Sequence, residues 1–439
     1  MFRYYLKLGV LSIRANPALS ALMVAAIAIG IGACMTIVTV KHIMSDNPIA
    51  HKNDVLYHVQ VDNWNPADPY EDPDTPPVQM AYLDAKAIYD AGKAYRQVTS
   101  YVTTRVVQPE GDDARPFQLD VRATTADFFP MFDVPFAYGT GWDQSSDRSE
   151  ERVTVLSWGL NEQLFGADDS VGRMLTVNGE PYRIVGVLDD WTPIPKFYDL
   201  NNNPYDEPAQ LFLPFSLAVA NKMPRSGNTS CWKPVEDGGF EMFLASECIW
   251  IQMWVELESA SQKQDYMQFL DAYVEGQKKL GRFPRPLNNR LNNPEEWMAD
   301  RDIVDNNVNV LLSLALLFLV VCLLNTIGLL LAKVMRRAKD ISLRRALGAS
   351  KSTLFTQYII EAGMIGAAGG LLGVIATWFG LRGIEQLYIE YDFIQHLVRM
   401  DWSMVLFAVV LAVASALAAA LYPTWRACKI TPASQLRIQ

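Results

Sequence analysis

The chain has 439 residues, half of them hydrophobic and one fifth charged, with a net charge of −10 and a mean hydropathy near zero. That average excludes little, but its distribution excludes a chain that is soluble throughout. Residues 18–40, 310–331, 362–381 and 402–422 contain no Asp, Glu, Lys or Arg. At a rise of ~1.5 Å per residue each run reaches roughly 30 Å, the hydrocarbon thickness of a bilayer.

In chain order, residues 1–17 ("MFRYYLKLGVLSIRANP") interleave apolar side chains with Arg3, Lys7 and Arg14 at roughly helical spacing. They predict an amphipathic helix on the inner membrane face, ended by Pro17. Residues 18–42 follow as the first membrane helix. The apolar run is longer than the ~7–15 residues of a cleaved signal, and no A-x-A site follows, so the helix is read as retained.

Residues 43–305 read as an α+β domain. "DVLYHVQV" (54–61) alternates like a strand, "AYLDAKAIYDA" is an amphipathic helix and "RQVTSYVTTRVVQ" a second strand. "NWNPADPYEDPDTPPVQ", between the first two, is a polar loop. The stretch 151–190 predicts strand, helix, turn and hairpin, with Asn178-Gly179 supplying the φ > 0 pair of a tight turn. "CIWIQMWVELES" is a strand, and the helix after it closes at Gly281. This order predicts two lobes, 43–106 with 246–305, and 107–245 inserted between them. Cys231 and Cys248 both fall here, and a disulfide or two separate buried thiols are both open. A bond would contribute on the order of 3 kcal/mol. His42, His51 and His58 straddle a membrane boundary and a strand, a spacing that reads as solvated or interfacial rather than metal-binding.

The second membrane helix is placed at 308–333 and the connection after it at 334–353. From Lys333 to Lys351 this connection holds seven Lys/Arg and a single acid, Asp340. Asp340 suits the positive end of a two-turn helix, and Gly348 lies just past its finish. The third membrane helix is 358–381, a short outer loop 382–401, the fourth helix 402–424 and a tail 425–439. Gly363, Gly366, Gly370 and Gly373 fall on one face of the third helix, for packing within the chain or in a dimer. Glu361, near the inner end, is expected to snorkel or to pair with Arg344 or Lys351. Basic residues gather at the start, in 333–351 and in the tail, which predicts cytoplasmic termini and an external 43–305 domain. No G-x-x-x-x-G-K-[ST], H-E-x-x-H or G-x-S-x-G occurs, so no catalytic residue and no metal ligand is assigned.

The segment "RAKDISLRRALGAS" from Arg337 resembles the R-x-x-E-I-G-x-x-R-A-[LI]-G-A stretch of MacB/FtsX-like ABC permeases, with Asp340 in place of Glu and Ser342 in place of Gly. The tail "YPTWRACKITPASQLR" is similar to the family's ending through Pro423, Ala427, Pro432 and Arg437, and "TTADFFPMFDVPFAYGTGW" with the 153–187 stretch resembles its periplasmic domain. The expected fold class is therefore an α-helical membrane protein with four transmembrane helices and a large α+β periplasmic domain inserted between helices 1 and 2. The resemblance implies that Arg337, Asp340, Ile341, Arg344, Arg345, Leu347, Gly348 and Ala349 couple to an ABC ATPase. Because the chain begins almost directly with the membrane, it also implies a separate ATPase subunit that binds ATP and Mg, with no cofactor in this chain.

Other implied partners are a second permease chain, a periplasmic adaptor, a TolC-like outer-membrane channel and the lipid bilayer, with no nucleic acid. The implied location is a bacterial inner membrane. The implied role is the permease of an exporter that moves a drug, peptide or similar substrate out of the periplasm. Lipoprotein release, as in Lol permeases, and FtsX-like regulation of cell-wall hydrolases are the alternatives.

Overall fold

A computed structural model of the chain describes residues 2–109, 115–235, 238–304, 306–387 and 402–428. Most of the expected 382–401 loop, and Pro432 and Arg437 of the tail, lie outside the described residues. Contacts divide the chain into two compact units, Met1–Met44 with Val304–Gln439, and Ser45–Ile303.

The first unit opens with helices α1 (Phe2–Ala15) and α2 (Pro17–Ser45). Among its described residues the second unit holds eleven strands: β1 (Leu56–Gln60), β2 (Met80–Ala81), β3 (Arg96–Gln108), β4 (Phe117–Thr124), β5 (Phe136–Gly139), β6 (Val153–Leu156), β7 (Met174–Val177), β8 (Glu180–Leu188), β9 (Leu211–Pro214), β10 (Ile249–Glu256) and β11 (Arg290–Asn292). Its helices are α3 (Tyr82–Asp90), α4 (Phe128–Met131), α5 (Gln144–Arg148), α6 (Trp158–Phe165), α7 (Phe215–Ala220), α8 (Gly239–Leu244), α9 (Ala260–Lys279) and α10 (Pro294–Asp300). The first unit resumes with α11 (Asn306–Arg336), α12 (Ala338–Ala346), α13 (Lys351–Leu387) and α14 (Trp402–Cys428).

The strands form one sheet in the order β11-β1-β10-β3-β4-β9-β6-β8-β5, with β2 added to β10 and β7 joining β3 to β8. The two expected lobes reappear as its two halves, β11-β1-β10-β3 and β4-β9-β6-β8-β5. They are not separate bodies, which corrects the two-lobe division. The β3–β4 ladder runs unbroken from Ser100↔Thr124 to Val107↔Phe117 and joins the halves by backbone hydrogen bonds. A long Val/Thr/Tyr-rich strand such as β3 suits this pairing, because branched side chains pack well on a pleated surface. At the β7–β8 hairpin, Asn178 and Gly179 take φ of +50° and +82°, the backbone that a two-residue turn between twisted strands requires.

Apolar cores cover both faces of the sheet. Along β10, Met253 and Val255 join one cluster and Trp254 the other. For the same reason β1 is buried throughout rather than alternately. His58 is a case in point: it is 1% exposed, stacked on Trp297 with ring centroids 3.9 Å apart and edge-on to Trp254. The expectation of a solvated or interfacial histidine is corrected. Period-2 patterning assigns side chains to a face but does not show whether that face is covered.

In the first unit, α2, α11, α13 and α14 are each long and apolar enough to cross a membrane. Their shared core is small and aliphatic, with Ile27, Ile31, Leu319, Ile365, Ala412 and Ala416 buried. Leu317, Leu324, Leu371, Phe379 and Leu406 point outward and are exposed, the arrangement expected where lipid tails are the solvent. α13 starts seven residues before the expected 358 because Ser350 caps it, accepting from the Thr353 N–H at 3.1 Å.

Candidate functional site

The basic connection between α11 and α13 is an ordered element. α11 stops at Arg336, and α12 begins after one non-helical residue, Arg337. Asp340 lies in the first turn and Arg344 and Arg345 in the last, so both helix ends carry the charge that their dipole favours. The finish is a left-handed cap. Gly348 takes φ +97°, and the N–H groups of Gly348 and Ala349 donate to the carbonyls of Arg345 and Arg344 at 3.2 and 3.0 Å.

One side of α12 is fixed to the bundle. Ile341 is buried with Val334, Leu354 and Cys428, Arg345 donates to the Cys428 carbonyl at 3.4 Å, and Arg344 donates to Gln357 at 3.3 Å. The other side is open: Asp340 and Gly348 are exposed, Leu343 is 60% and Leu347 80% exposed. Arg337 departs from the rest of the expected set. Its guanidinium turns inward and donates to the Ser12 hydroxyl at 2.5 Å and the Ser12 carbonyl at 3.1 Å.

Ser12 leads into a buried polar cluster that patterning alone did not assemble. Lys333 forms an ion pair with Glu361, and each residue is 2% exposed. Lys333 also donates to the Ser20 hydroxyl at 3.1 Å, while the Ser12 hydroxyl donates to the Glu361 carboxylate at 2.7 Å. The cluster thus ties α1, α2, α11 and α13 together. Glu361 neither snorkels nor pairs with Arg344 or Lys351, which corrects both expectations. Lys333 comes two residues after a charge-free run and reads in sequence as an outward anchor. Only the helix packing turns it inward.

The glycines of α13 meet two neighbours rather than one. A Cβ on Gly366 or Gly370 would come within 3 Å of Ala416 or Ala412 of α14, and Gly363 faces Leu417. Gly369 and Gly373 instead lie against Ile27 and Ile31 of α2. At ~100° per residue these positions span an arc wide enough for two helices, so the single-face reading gives way to two seams within the chain. In the other unit, Cys231 and Cys248 are joined by a disulfide that closes a 17-residue separation. A buried ion pair, Arg122 with Asp199, is held by Ser100 and by Gln252 and Asn202 at 2.7 Å each, from strands and a turn far apart in sequence.

Comparison with known proteins covers both units. The MacB-like periplasmic core domain model matches residues 20–272, and the FtsX-like permease C-terminal model matches residues 312–432. Macrolide export ATP-binding/permease protein MacB of Rhodospirillum rubrum is 24% identical over 377 residues, 84% of this chain and 51% of that protein. MacB 2 of Aeromonas hydrophila is 23% identical over 287 residues, 63% of this chain and 39% of that protein. The chain therefore spans about half the length, or less, of these curated relatives. The crystal structure of the periplasmic region of MacB from Actinobacillus actinomycetemcomitans matches 59% of this chain and 99% of that one, with TM-score 0.36 and 11% identity. With both models matched in order, one of them over more than half of the chain, the chain belongs to the MacB/FtsX-like family of ABC transporter permeases.

Proposed function

We propose that the chain is the permease of a MacB-like exporter in a bacterial inner membrane. Both termini lie in the cytoplasm and the Ser45–Ile303 unit in the periplasm. ATP and Mg are bound by a partner ABC ATPase, and α12 is the surface that ATPase grips. ATP-driven closure moves α12, the membrane helices carry that motion, and the periplasmic domain responds by driving substrate outward. Because ATPases of this class work in pairs, a second permease chain completes the complex. A periplasmic adaptor and a TolC-like outer-membrane channel complete the route.

The observation that carries this reading is the two-sidedness of α12. A charged anchor needs neither a left-handed cap nor a buried Ile341, whereas a lever needs one side fixed and one side free. Leu343 and Leu347 supply exposed apolar surface beside Asp340 and Arg344, the mixture found at protein interfaces. Leu343→Glu with Leu347→Glu should leave membrane insertion intact and release the ATPase that co-purifies with the wild-type chain. Undiminished co-purification would remove α12 as the docking surface.

A further inference from the structure

A cleft of about 760 Å³ opens at the seam between the two halves of the sheet in the Ser45–Ile303 unit, where α3 and the start of β3 face α5 and α7. Its volume lies in the range of sites for drug-sized ligands. Three tyrosines, Tyr82, Tyr89 and Tyr95, line it, and the Arg96 guanidinium already lies over the Tyr95 ring, 4.6 Å from its centroid. Tyr82 is held by parallel stacking on Phe215 and Trp250.

The charged groups around these rings are mostly acidic, with Asp90, Asp127, Asp147 and Glu150 against Lys86 and Arg148. Gln97 is 8% exposed and lines the cleft. Its amide nitrogen donates to the Tyr89 carbonyl, a group that can only accept, so the amide orientation is set. The Gln97 Oε1 is then a buried acceptor with no partner among the described residues. Buried polar atoms of this kind are uncommon and call for an explanation. Beside it stands Asp127, which receives the Gln97 backbone N–H at 3.1 Å and a longer contact from Gln144 at 3.4 Å. Asp147 is occupied by the Ala126 N–H at 2.6 Å and the Trp142 indole at 3.0 Å, so it positions the wall rather than a ligand. Of the two cations at the cleft, Lys86 is paired with Asp90, and Arg148 is offset by the nearby Glu150 in the formal charge count. Asp127 leaves that count negative, and Asp147, whose carboxyl is pushed up to about 7 by burial, adds to it only in part.

We propose that this cleft binds a protonated amine carried on a ring or other apolar body. The ammonium donates to Asp127 and Gln97 Oε1, and the body lies among the tyrosine rings, where a cation gains further from the ring quadrupole. This deepens the exporter reading by naming a ligand class, and it rests on that reading only for the ligand's role as cargo. Binding itself needs no ATPase.

The experiment is titration calorimetry of the disulfide-intact full chain in detergent with tryptamine and with indole-3-acetate, which share a ring and differ in the sign of their charge. Tryptamine should bind saturably, and indole-3-acetate at least tenfold more weakly. Asp127→Asn, which keeps an acceptor for the Gln97 N–H, should weaken tryptamine at least tenfold. Val219→Trp, at a half-buried wall position, should abolish binding by filling the space. Should Asp127→Asn lower the unfolding temperature, Val219→Trp alone decides. Equal binding of the two probes, or tryptamine binding that survives Val219→Trp, overturns the proposal. Either result leaves ATPase coupling untouched, and a failure of coupling leaves tryptamine binding untouched.

Discussion

His58 shows how far a residue's chemistry depends on surroundings that its own stretch does not announce. Burial between Trp254 and Trp297 pulls its imidazole down to about 3 from an ordinary 6.5. Neither ring nitrogen has a hydrogen-bond partner among the described residues. In the unfolded chain His58 binds a proton below about pH 6.5, whereas in the folded chain it stays neutral until about pH 3. The unfolded state therefore binds more protons in that window, and stability falls as pH falls through it. By pH 4 the difference is roughly 3 kcal/mol at one pKa unit per 1.36 kcal/mol. His58→Phe keeps a stacking ring and removes the titration. Thermal unfolding of both proteins from pH 7 to pH 4 should show the variant gaining on the wild type as the solution is acidified. Parallel curves would mean that His58 is not buried neutral. The alternation of 54–61 revealed the strand, but its stacking partner Trp297 lies at the far end of the domain's sequence and no local pattern connects the two.

Among the elements, the membrane helices were the most legible, because a charge-free run of bilayer length has few other uses. The strand Arg96–Gln108 and the turn at Asn178-Gly179 were legible as well, since branched side chains and a φ > 0 pair leave local signatures. The contacts between elements were not. Lys333 and Glu361 were both visible as charges beside apolar runs, but their pairing depends on which faces α11 and α13 turn toward each other. A buried pair with one partner removed leaves an uncompensated charge, at a cost of about 3–5 kcal/mol. Glu361→Gln and Lys333→Met should each lower the unfolding temperature in detergent, and Lys333→Met with Glu361→Met should recover most of the loss. A double variant no more stable than either single one would show that the ion pair does not join these helices. The glycine seams make a parallel case. Gly366→Leu would push against Ala416 and Gly369→Leu against Ile27, so both should destabilise the monomeric chain itself. Destabilisation seen only on dilution would instead point to a seam between chains.

At the scale of the whole molecule, the two-part plan could be read from charge and hydropathy, and the separation of the domain into halves from the order of its strands. That the halves share one sheet could not, because the β3–β4 ladder depends on long-range pairing. The coupling role proposed for α12 is likewise a property of the assembled permease, and its most direct test separates shape from charge. Arg345→Lys keeps the charge but loses the planar fork that reaches the Cys428 carbonyl. A Cβ added at Gly348 meets no neighbouring atom, yet Gly348→Leu forces that carbon into φ +97° at a cost of about 1 kcal/mol. The measurement is ATP hydrolysis by the partner ATPase in reconstituted membranes, with insertion and co-purification checked alongside. Coupling through α12 predicts that both variants insert and hold the ATPase but lose at least most of the stimulation seen with the wild-type chain. Full stimulation in both would contradict it and return α12 to the role of a charged membrane anchor.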